Sequence, residues 1–376
     1  MRVTRAEIDL RALRFNYEGV RKRVGPGVRI MGIVKANAYG HGIIEVSRAL
    51  VRFGIDYLGV GFAEEGIALR KAGVTCPVLV LGGVLGRQIS DFLEHRLDIT
   101  VSSLEIARQI DEEVRRSPAG ARAHVHLKID TGMERIGVKS ENAARFIDEV
   151  GRLQGITMRG LYSHFATADE ADKSFALEQL KKFDAVVAAA RQAGHDIPYI
   201  HIANSGAVLD MPGSCHTMVR PGIMLYGIYP SGETGRSIPL RPVLSLRSNV
   251  VFIKEVAGGT PVSYGRKYTT GKTTRIATIP VGYGDGYPRR LSNSANVLIG
   301  GRGYPVVGTV CMDALMVDIG MDAVIHVGDD VTLIGADGGA QIGVWELSET
   351  VGTVPYEILT GIAARVPRIA HYSEGN

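Results

Sequence analysis

Cysteine is scarce in this sequence. Cys76, Cys215 and Cys311 are odd in number, far apart and in no C-x-x-C pattern. That set argues against a disulfide framework and against a cysteine zinc site. No apolar run approaches the ~18 residues a membrane helix needs. The opening Met-Arg-Val-Thr-Arg leads into no apolar h-region, so no secretory signal is visible and a reducing cytoplasm is the expected setting. Charge imbalance is also slight, at a net +4. It calls for neither nucleic acid nor a membrane, and Arg21-Lys22-Arg23 and Arg115-Arg116 read as solvated helix faces. No low-complexity tract occurs. What remains is an ordinary globular composition, 45% hydrophobic and 22% charged, in a chain of 376 residues. That length exceeds what one compact core usually serves, so two domains are expected.

Residues 1–10 read as one strand and 13–20 as a helix. A rhythm then sets in. Short apolar strands are predicted near 28–34, 57–62, 77–82, 97–101, 123–130, 156–162, 199–203 and 217–220. Helical patterns fill most gaps, at 43–53, 63–72, 88–94, 104–114, 143–153 and 175–193, with Ser103 as an N-cap. Eight strands alternating with helices is the pattern of an N-terminal (β/α)8, TIM-like barrel, with a doubly wound open sheet as the alternative. The rhythm breaks at a turn-rich segment near Ser231. Beyond it, short strands separated by glycines (244–256, 274–280, 295–299, 304–310, 315–318, 330–334) predict a C-terminal, mostly-β domain, interrupted by a helix at 342–351. The expected boundaries are 11–230 for the barrel and 231–376 for the β domain. The strand at 1–10 is expected to pack with the latter.

Barrel chemistry sits at the carboxyl ends of the strands. The first strand runs through Ile30, Met31, Ile33 and Val34 and ends at Lys35, followed by Ala-Asn-Ala-Tyr39-Gly-His-Gly42. A lysine at the end of a buried strand cannot easily keep its charge away from water, which makes its amine a candidate for covalent chemistry with a carbonyl. Alone, it would read as a solvated strand-end lysine. The fifth strand puts His124, His126, Lys128 and Asp130 on one face, which is not ordinary apolar packing. Two histidines at i,i+2 are a weak metal signal; satisfied core histidines are the expectation, and no metal is assigned. Ser205 at a helix start and Gly222 after the eighth strand suit an anion, since loops after strands seven and eight are the habitual phosphate site of barrels.

Together these segments resemble the alanine racemase family over essentially the whole chain. The matching motifs include Lys35–Gly42, Lys128–Gly137, His164-Phe-Ala, His201-Ile-Ala-Asn-Ser-Gly206 and Arg220-Pro-Gly-Ile-Met-Leu-Tyr-Gly227. In the second domain they include Val262-Ser-Tyr264-Gly, Gly282-Tyr-Gly-Asp-Gly-Tyr-Pro-Arg289, Gly308-Thr-Val-Cys-Met-Asp313 and Pro355-Tyr-Glu357. Departures are Glu134, where many relatives have Gly, and Ala363-Ala364, where relatives often carry an aromatic.

The resemblance implies interconversion of L-alanine and D-alanine, supplying D-alanine for peptidoglycan, by a homodimer using pyridoxal 5'-phosphate (PLP). Each active site would join one subunit's barrel to the partner's β domain. It implies that Lys35 carries the cofactor and is the base on the face of the D-isomer's proton. Tyr264, from the partner, is the base for the L-isomer. His164 and Arg220 would form a hydrogen-bonded chain with that tyrosine, with Arg220 facing the pyridine nitrogen. Arginine only donates and keeps its proton, so that nitrogen would stay unprotonated and the electron sink weak. Arg135 and the backbone N–H of Met312 would hold the substrate carboxylate. Tyr39, Ser205, Gly222, Ile223 and Tyr356 match the phosphate-binding set, and Lys128 matches a lysine that can be carbamylated.

Three other activities were weighed. A PLP-dependent decarboxylase of the same architecture would pair the pyridine nitrogen with an acid, which Arg220 opposes. A PLP carrier built on the barrel alone would not need the β domain with Tyr264 and Met312. A serine or broad-specificity racemase stays open, because small differences in pocket shape set substrate size.

Overall fold

In the computed structural model, which describes residues 2–117 and 122–371, β-branched and aliphatic runs form eight short parallel strands. With β1 as Arg5–Asp9, these are β2 (Arg29–Ile33), β3 (Tyr57–Val60), β4 (Val78–Val80), β5 (Asp98–Val101), β6 (Ala123–Asp130), β7 (Ile156–Tyr162), β8 (Tyr199–His201) and β9 (Met218–Val219). Their spatial order is β9-β2-β3-β4-β5-β6-β7-β8. The two end strands approach each other, since Thr217 N–H donates to Ile200 O at 3.3 Å and Arg220 N–H to Ala203 O at 2.9 Å. The sheet is therefore a nearly closed TIM-like barrel, and the open-sheet alternative falls.

Strands covered on both faces need apolar residues throughout rather than alternation, which is why β3, β4 and β5 are buried at every position. The crossover helices include Ile43–Phe53, Ala63–Lys71, Leu104–Arg116, Ala143–Gly151 and Ser174–Gln192. Each turns an apolar stripe inward; on Ser174–Gln192 that stripe holds Ala176, Phe183, Val186, Val187 and Ala190. Burying one such phenylalanine contributes about 1.5–3 kcal/mol. Ser103 caps Leu104–Arg116 by accepting from Ile106 N–H at 3.3 Å.

The described residues divide into two compact units. One is Leu13–Ala38 with Ile43–Arg241; the other takes residues up to Ala12, Tyr39–Gly42 and the chain from Pro242 onward. The second unit is built on a sheet of β1 with β10 (Leu244–Asn249), β11 (Phe252–Val256), β12 (Thr274–Ile279), β13 (Asn296–Ile299), β14 (Arg302–Val307), β15 (Leu315–Asp318), β16 (Asp330–Asp337) and β17 (Arg368–His371). The order is β11-β12-β15-β14-β13-β16-β10-β1-β17. β1 pairs antiparallel with β10 (Ile8 opposite Leu244) and parallel with β17 (Ala6 opposite Arg368).

Several details differ from the sequence-based prediction. The segment 244–256 is two strands, because Val250 N–H bonds Asp329 O while Val251 N–H bonds Thr278 O, so the chain changes neighbours there. The hairpin of Pro261–Val262 with Tyr268–Thr269 has strands too short to leave a period. Pro355–Gly361 is a further helix, opened by proline at its first turn, where the missing N–H is no loss.

Candidate active site

The first barrel strand ends in an uncommon turn. After Val34, whose N–H bonds Gly59 O at 2.8 Å, the chain runs through Lys35 into Ala36, Asn37, Ala38 and Tyr39, at φ of 52°, 54°, 54° and 51°. This is a left-handed helical turn made without glycine. Each such residue is disfavoured by roughly 1–2 kcal/mol, because Cβ crowds the following carbonyl. Four hydrogen bonds hold it. Glu65 Oε1 accepts from Ala36 N–H (2.6 Å) while its Oε2 accepts from Gly61 N–H (2.7 Å). Asn37 Oδ1 accepts from Ile43 N–H (2.8 Å), and Ala38 N–H donates to Val34 O (2.8 Å). Lys35 is thus held at an open strand end. Desolvation by the surrounding protein lowers its pKa, the positive Arg135 and Arg220 add to this, and Glu65 opposes it.

Arg135 follows β6 on a loop folded back against its own strand. Asp130 Oδ1 accepts from Gly132 N–H (2.9 Å) and Glu134 N–H (3.2 Å). Gly137, at φ 129°, lies so close that a Cβ would sit 2.8 Å from Asp130 N and 3.0 Å from Lys128 O. The chain can then pair Val138–Lys139 with Ile129–Asp130. Glu134 is at φ 54°, a left-handed conformation that glycine would adopt more easily. Lys128 is buried, its Nζ 4.5 Å from the centroid of the Tyr162 ring. Burial holds its pKa well below the usual lysine value, with Arg220 and Arg135 adding and Asp130 opposing.

Arg220 is buried and immobilised by five acceptors. Nη1 donates to His201 Nδ1 (2.8 Å) and His201 O (2.9 Å). Nη2 donates to Ser163 O (2.7 Å), His164 Nδ1 (3.1 Å) and Ile202 O (3.3 Å). Burial lowers the guanidinium pKa to about 10, still high enough for it to remain a charged donor. His164 and His201 both have pKa values pushed far down, by burial first and by Arg220 second, so both imidazoles are neutral. Since Arg220 can only donate, each offers it an unprotonated Nδ1 and carries its proton on Nε2.

Nearby, Ser205 is buried and its Oγ accepts from Gly222 N–H at 2.9 Å, leaving the hydroxyl proton to donate outward. Ile223 opens the short turn Ile223–Tyr226 directly after Gly222.

Tyr39, Tyr356, Tyr264 and Met312 belong to the β unit. The rings of Tyr39 and Tyr356 lie 5.9 Å apart at 50°, and burial raises the pKa of the Tyr39 hydroxyl. Tyr264 and Met312 are exposed, at 72% and 53%. Their loops are joined: Thr309 Oγ1 donates to Tyr264 O (2.7 Å) and Ser263 Oγ to Thr309 O (2.6 Å). Gly284 N–H donates to Met312 O (2.9 Å) from behind. The backbones at Tyr264 and Met312 are thus fixed, while both side chains are exposed.

Sequence reading missed Glu65, which pins the lysine turn, and Gln179, whose Nε2 reaches His164 O (3.1 Å) and Thr131 Oγ1 (3.4 Å). A buried glutamine in an apolar helix stripe was the available signal for the second. His126 was expected to be a core histidine, and it is fully buried; His124 is 47% exposed in its side chain. Among the described residues no three His, Cys, Asp or Glu groups could hold a metal ion together, and no helix is long and apolar enough to cross a membrane.

The donor set suits a phosphorylated aldehyde: an amine of lowered pKa, a serine hydroxyl with a proton to give, and an arginine that cannot accept. The fold is a TIM-like barrel followed by a mostly-β domain, with Lys35 at the end of the first barrel strand. Residues 8–230 match the family model for the alanine racemase N-terminal domain, and residues 243–370 match that for the C-terminal domain. The chain is 45% identical over 367 residues to an alanine racemase of Halothermothrix orenii, covering 98% of this chain and 96% of the relative. It is 42% identical over 373 residues to alanine racemase 2 of Caldanaerobacter subterraneus, covering 99% and 96%. Among solved structures, the alanine racemase of Clostridium difficile 630 superimposes with a TM-score of 0.93 at 40% identity, covering 97% of this chain and 95% of that one. An alanine racemase from Bacillus anthracis with bound L-Ala-P gives 0.92 at 36% identity, covering 99% and 96%. The chain belongs to the alanine racemase family.

Proposed function

We propose that this chain interconverts L-alanine and D-alanine with PLP as cofactor, in a homodimer whose active sites each combine one subunit's barrel with the partner's β domain. The observation that carries the reading is Lys35 itself: a primary amine at the end of the first barrel strand, pinned by the turn that follows it, its pKa lowered by desolvation and by the charges of Arg135 and Arg220. When bound, PLP would supply an electron sink that makes a substrate's α-proton removable. Lys35 would hold the cofactor through its amine and move the proton on one face. Tyr264 of the partner subunit would move it on the other. A phenol titrates near pH 10 and needs help to act as a base. His164 provides that help: with Nδ1 occupied by Arg220, its Nε2–H is free to donate toward the phenolate oxygen and favour it.

Arg220 would face the pyridine nitrogen and, as a donor only, would leave it unprotonated, a weaker electron sink that would limit side reactions. Arg135, with the backbone N–H of Met312 of the partner subunit, would hold the substrate carboxylate. Ser205, Gly222, Ile223, Tyr39 and Tyr356 would hold the phosphate. A carbamate on Lys128 would put a negative charge close to Arg135 and steady it, and a buried amine of low pKa is the right nucleophile for carbon dioxide. The three free cysteines suit a reducing cytoplasm, where the D-alanine produced would feed peptidoglycan synthesis.

The test is direct. Purified protein should be yellow, and borohydride should fix the cofactor on a peptide containing Lys35. Chiral chromatography should then show L-alanine converted, with L-serine and L-lysine as competing substrates. Labelling elsewhere, or a protein that takes up no PLP, would sink the reading; preference for serine would change only the substrate.

A further inference from the structure

A barrel interior is ordinarily filled by layers of aliphatic side chains. Here a polar chain crosses it from end to end. It starts at Arg220, after β9, and passes to His201 at the end of β8. His201 Nε2 lies 2.8 Å from His126 Nδ1, in the middle of β6. His126 Nε2 then faces Asp98 Oδ2 (3.5 Å) and the Tyr57 hydroxyl (3.4 Å), and Tyr57 donates to Asp98 Oδ2 in a short hydrogen bond. Asp98 and Tyr57 open β5 and β3, at the opposite end of the barrel from Lys35. Room for the chain is built in: a Cβ on Gly160 of β7 would lie 2.0 Å from His126 Nδ1. The Tyr162 ring stacks on His201 with centroids 4.8 Å apart, and Tyr199 stacks on His126 at 6.1 Å.

We propose that Asp98 is a remote positioning residue for Arg220, acting through His126 and His201. The inference rests on the reading above, in which Arg220 faces the cofactor ring. The two ends of the chain set its polarity. Arg220 only donates, so His201 Nδ1 must accept and its proton lies on Nε2. That proton goes to His126 Nδ1, so His126 carries its own proton on Nε2 and presents it to the carboxylate. Each link admits one donor and one acceptor, so reversing any tautomer would put two N–H groups face to face at 2.8 Å, at His201 against Arg220. Of the two groups that face His126 Nε2, Tyr57 has its proton committed to Asp98, and Asp98 accepts without donating. Two further groups face it: the charged Arg159, with Nη1 3.5 Å from Oδ2, and the His124 imidazole, with Nδ1 3.8 Å from Oδ1. These hold the carboxylate in place, and the two neutral imidazoles carry its pull to the guanidinium. Hydrogen bonds in such a chain polarise one another. The guanidinium is thereby both anchored and aimed.

The experiment uses the holoenzyme. Selective 15N labelling of histidine in the unmodified protein should show Nδ1 unprotonated and Nε2 protonated in both His126 and His201. A proton on His201 Nδ1 would overturn the proposal with no variant needed. Asp98→Asn offers the far end a donor as well as an acceptor. It should mix the His126 and His201 tautomers and shift the visible absorbance of bound PLP. It should also lower kcat on the order of tenfold, as loss of a carboxylate behind a histidine does at metal sites, while KM for alanine stays within about twofold and the transaminated fraction rises. Tyr57→Phe keeps the direct His126–Asp98 contact, so it should leave tautomers and spectrum as they are. If Asp98→Asn binds PLP with wild-type spectrum, kcat and partitioning, Asp98 does not position Arg220. A protein that binds no PLP at all would instead refute the reading on which this rests.

Discussion

Replacing Ala36 by glycine should make the protein more stable and slower at once. Ala36 sits at φ 52°, second in the run from Lys35 to Tyr39, and its side chain is exposed. Removing its Cβ relieves roughly 1–2 kcal/mol of left-handed crowding. The added freedom of glycine in the unfolded chain takes back about 0.4–1 kcal/mol. No packing is lost with an exposed methyl, so the net gain is about 0.5–1 kcal/mol. The same freedom loosens the link between Lys35 and the anchors at Glu65 and Asn37. Small misplacements of a reacting group are expensive, so kcat/KM for alanine should fall, on the order of tenfold. Urea denaturation of the cofactor-free protein should show a higher midpoint with an unchanged slope. A lower midpoint would mean the turn is not strained. A higher midpoint with unaltered kcat/KM would mean that the strain is unconnected to the placement of Lys35.

Three further outcomes follow from the same site. Tyr264→Phe should lose racemisation by about 10²–10⁴-fold while keeping PLP, and in D2O it should still exchange the α-proton of D-alanine faster than that of L-alanine; near-normal racemisation would refute a two-base mechanism. Mixing inactive Lys35→Ala with inactive Tyr264→Ala should restore part of the activity, since one hybrid site keeps both bases, and no recovery despite proven subunit exchange would count against a shared site. Lys128 has a depressed pKa when folded, so the unfolded chain binds the extra proton and stability should rise with pH between the folded value and the ordinary 10.5. In bicarbonate-free buffer Lys128→Met should therefore be more stable than wild type at neutral pH, with the gap closing as pH approaches the ordinary lysine value; equal stability at all pH values would show that the amine is not burdened by its burial.

Legibility in the sequence followed the physics of each feature. The barrel rhythm could be read because strands buried on both faces must be apolar and the helices between them must be amphipathic. Lys35 stood out because a strand ending in an amine breaks that rule. The turn after it did not, since Ala36, Asn37 and Ala38 give no local sign of a left-handed path, which tertiary anchors impose. Glu65 looked like any first-turn helix acid. The chain from Arg220 to Asp98 joins residues on four separate strands, and no spacing along the sequence could bring them together. His126 and Lys128 were flagged as misplaced in a barrel strand, but the partners of His126 lie on β8 and β5 and that of Lys128 on β7, and they became visible only with the fold.

The pairing of β1 sets a timetable for synthesis. Ile8 is translated well before its sheet neighbours, Leu244 and Ala370, which follow it by more than half of the sequence. At roughly 5–20 residues per second, the first strand spends on the order of tens of seconds with both edges unpaired. Residues 13–38 and 43–241 need nothing downstream of themselves for their own sheet, so the barrel can close during that interval. An alternating apolar strand waiting in the open is a target for chaperones and for a neighbouring nascent chain, until Leu244–Asn249 and then Arg368–His371 cover its two edges.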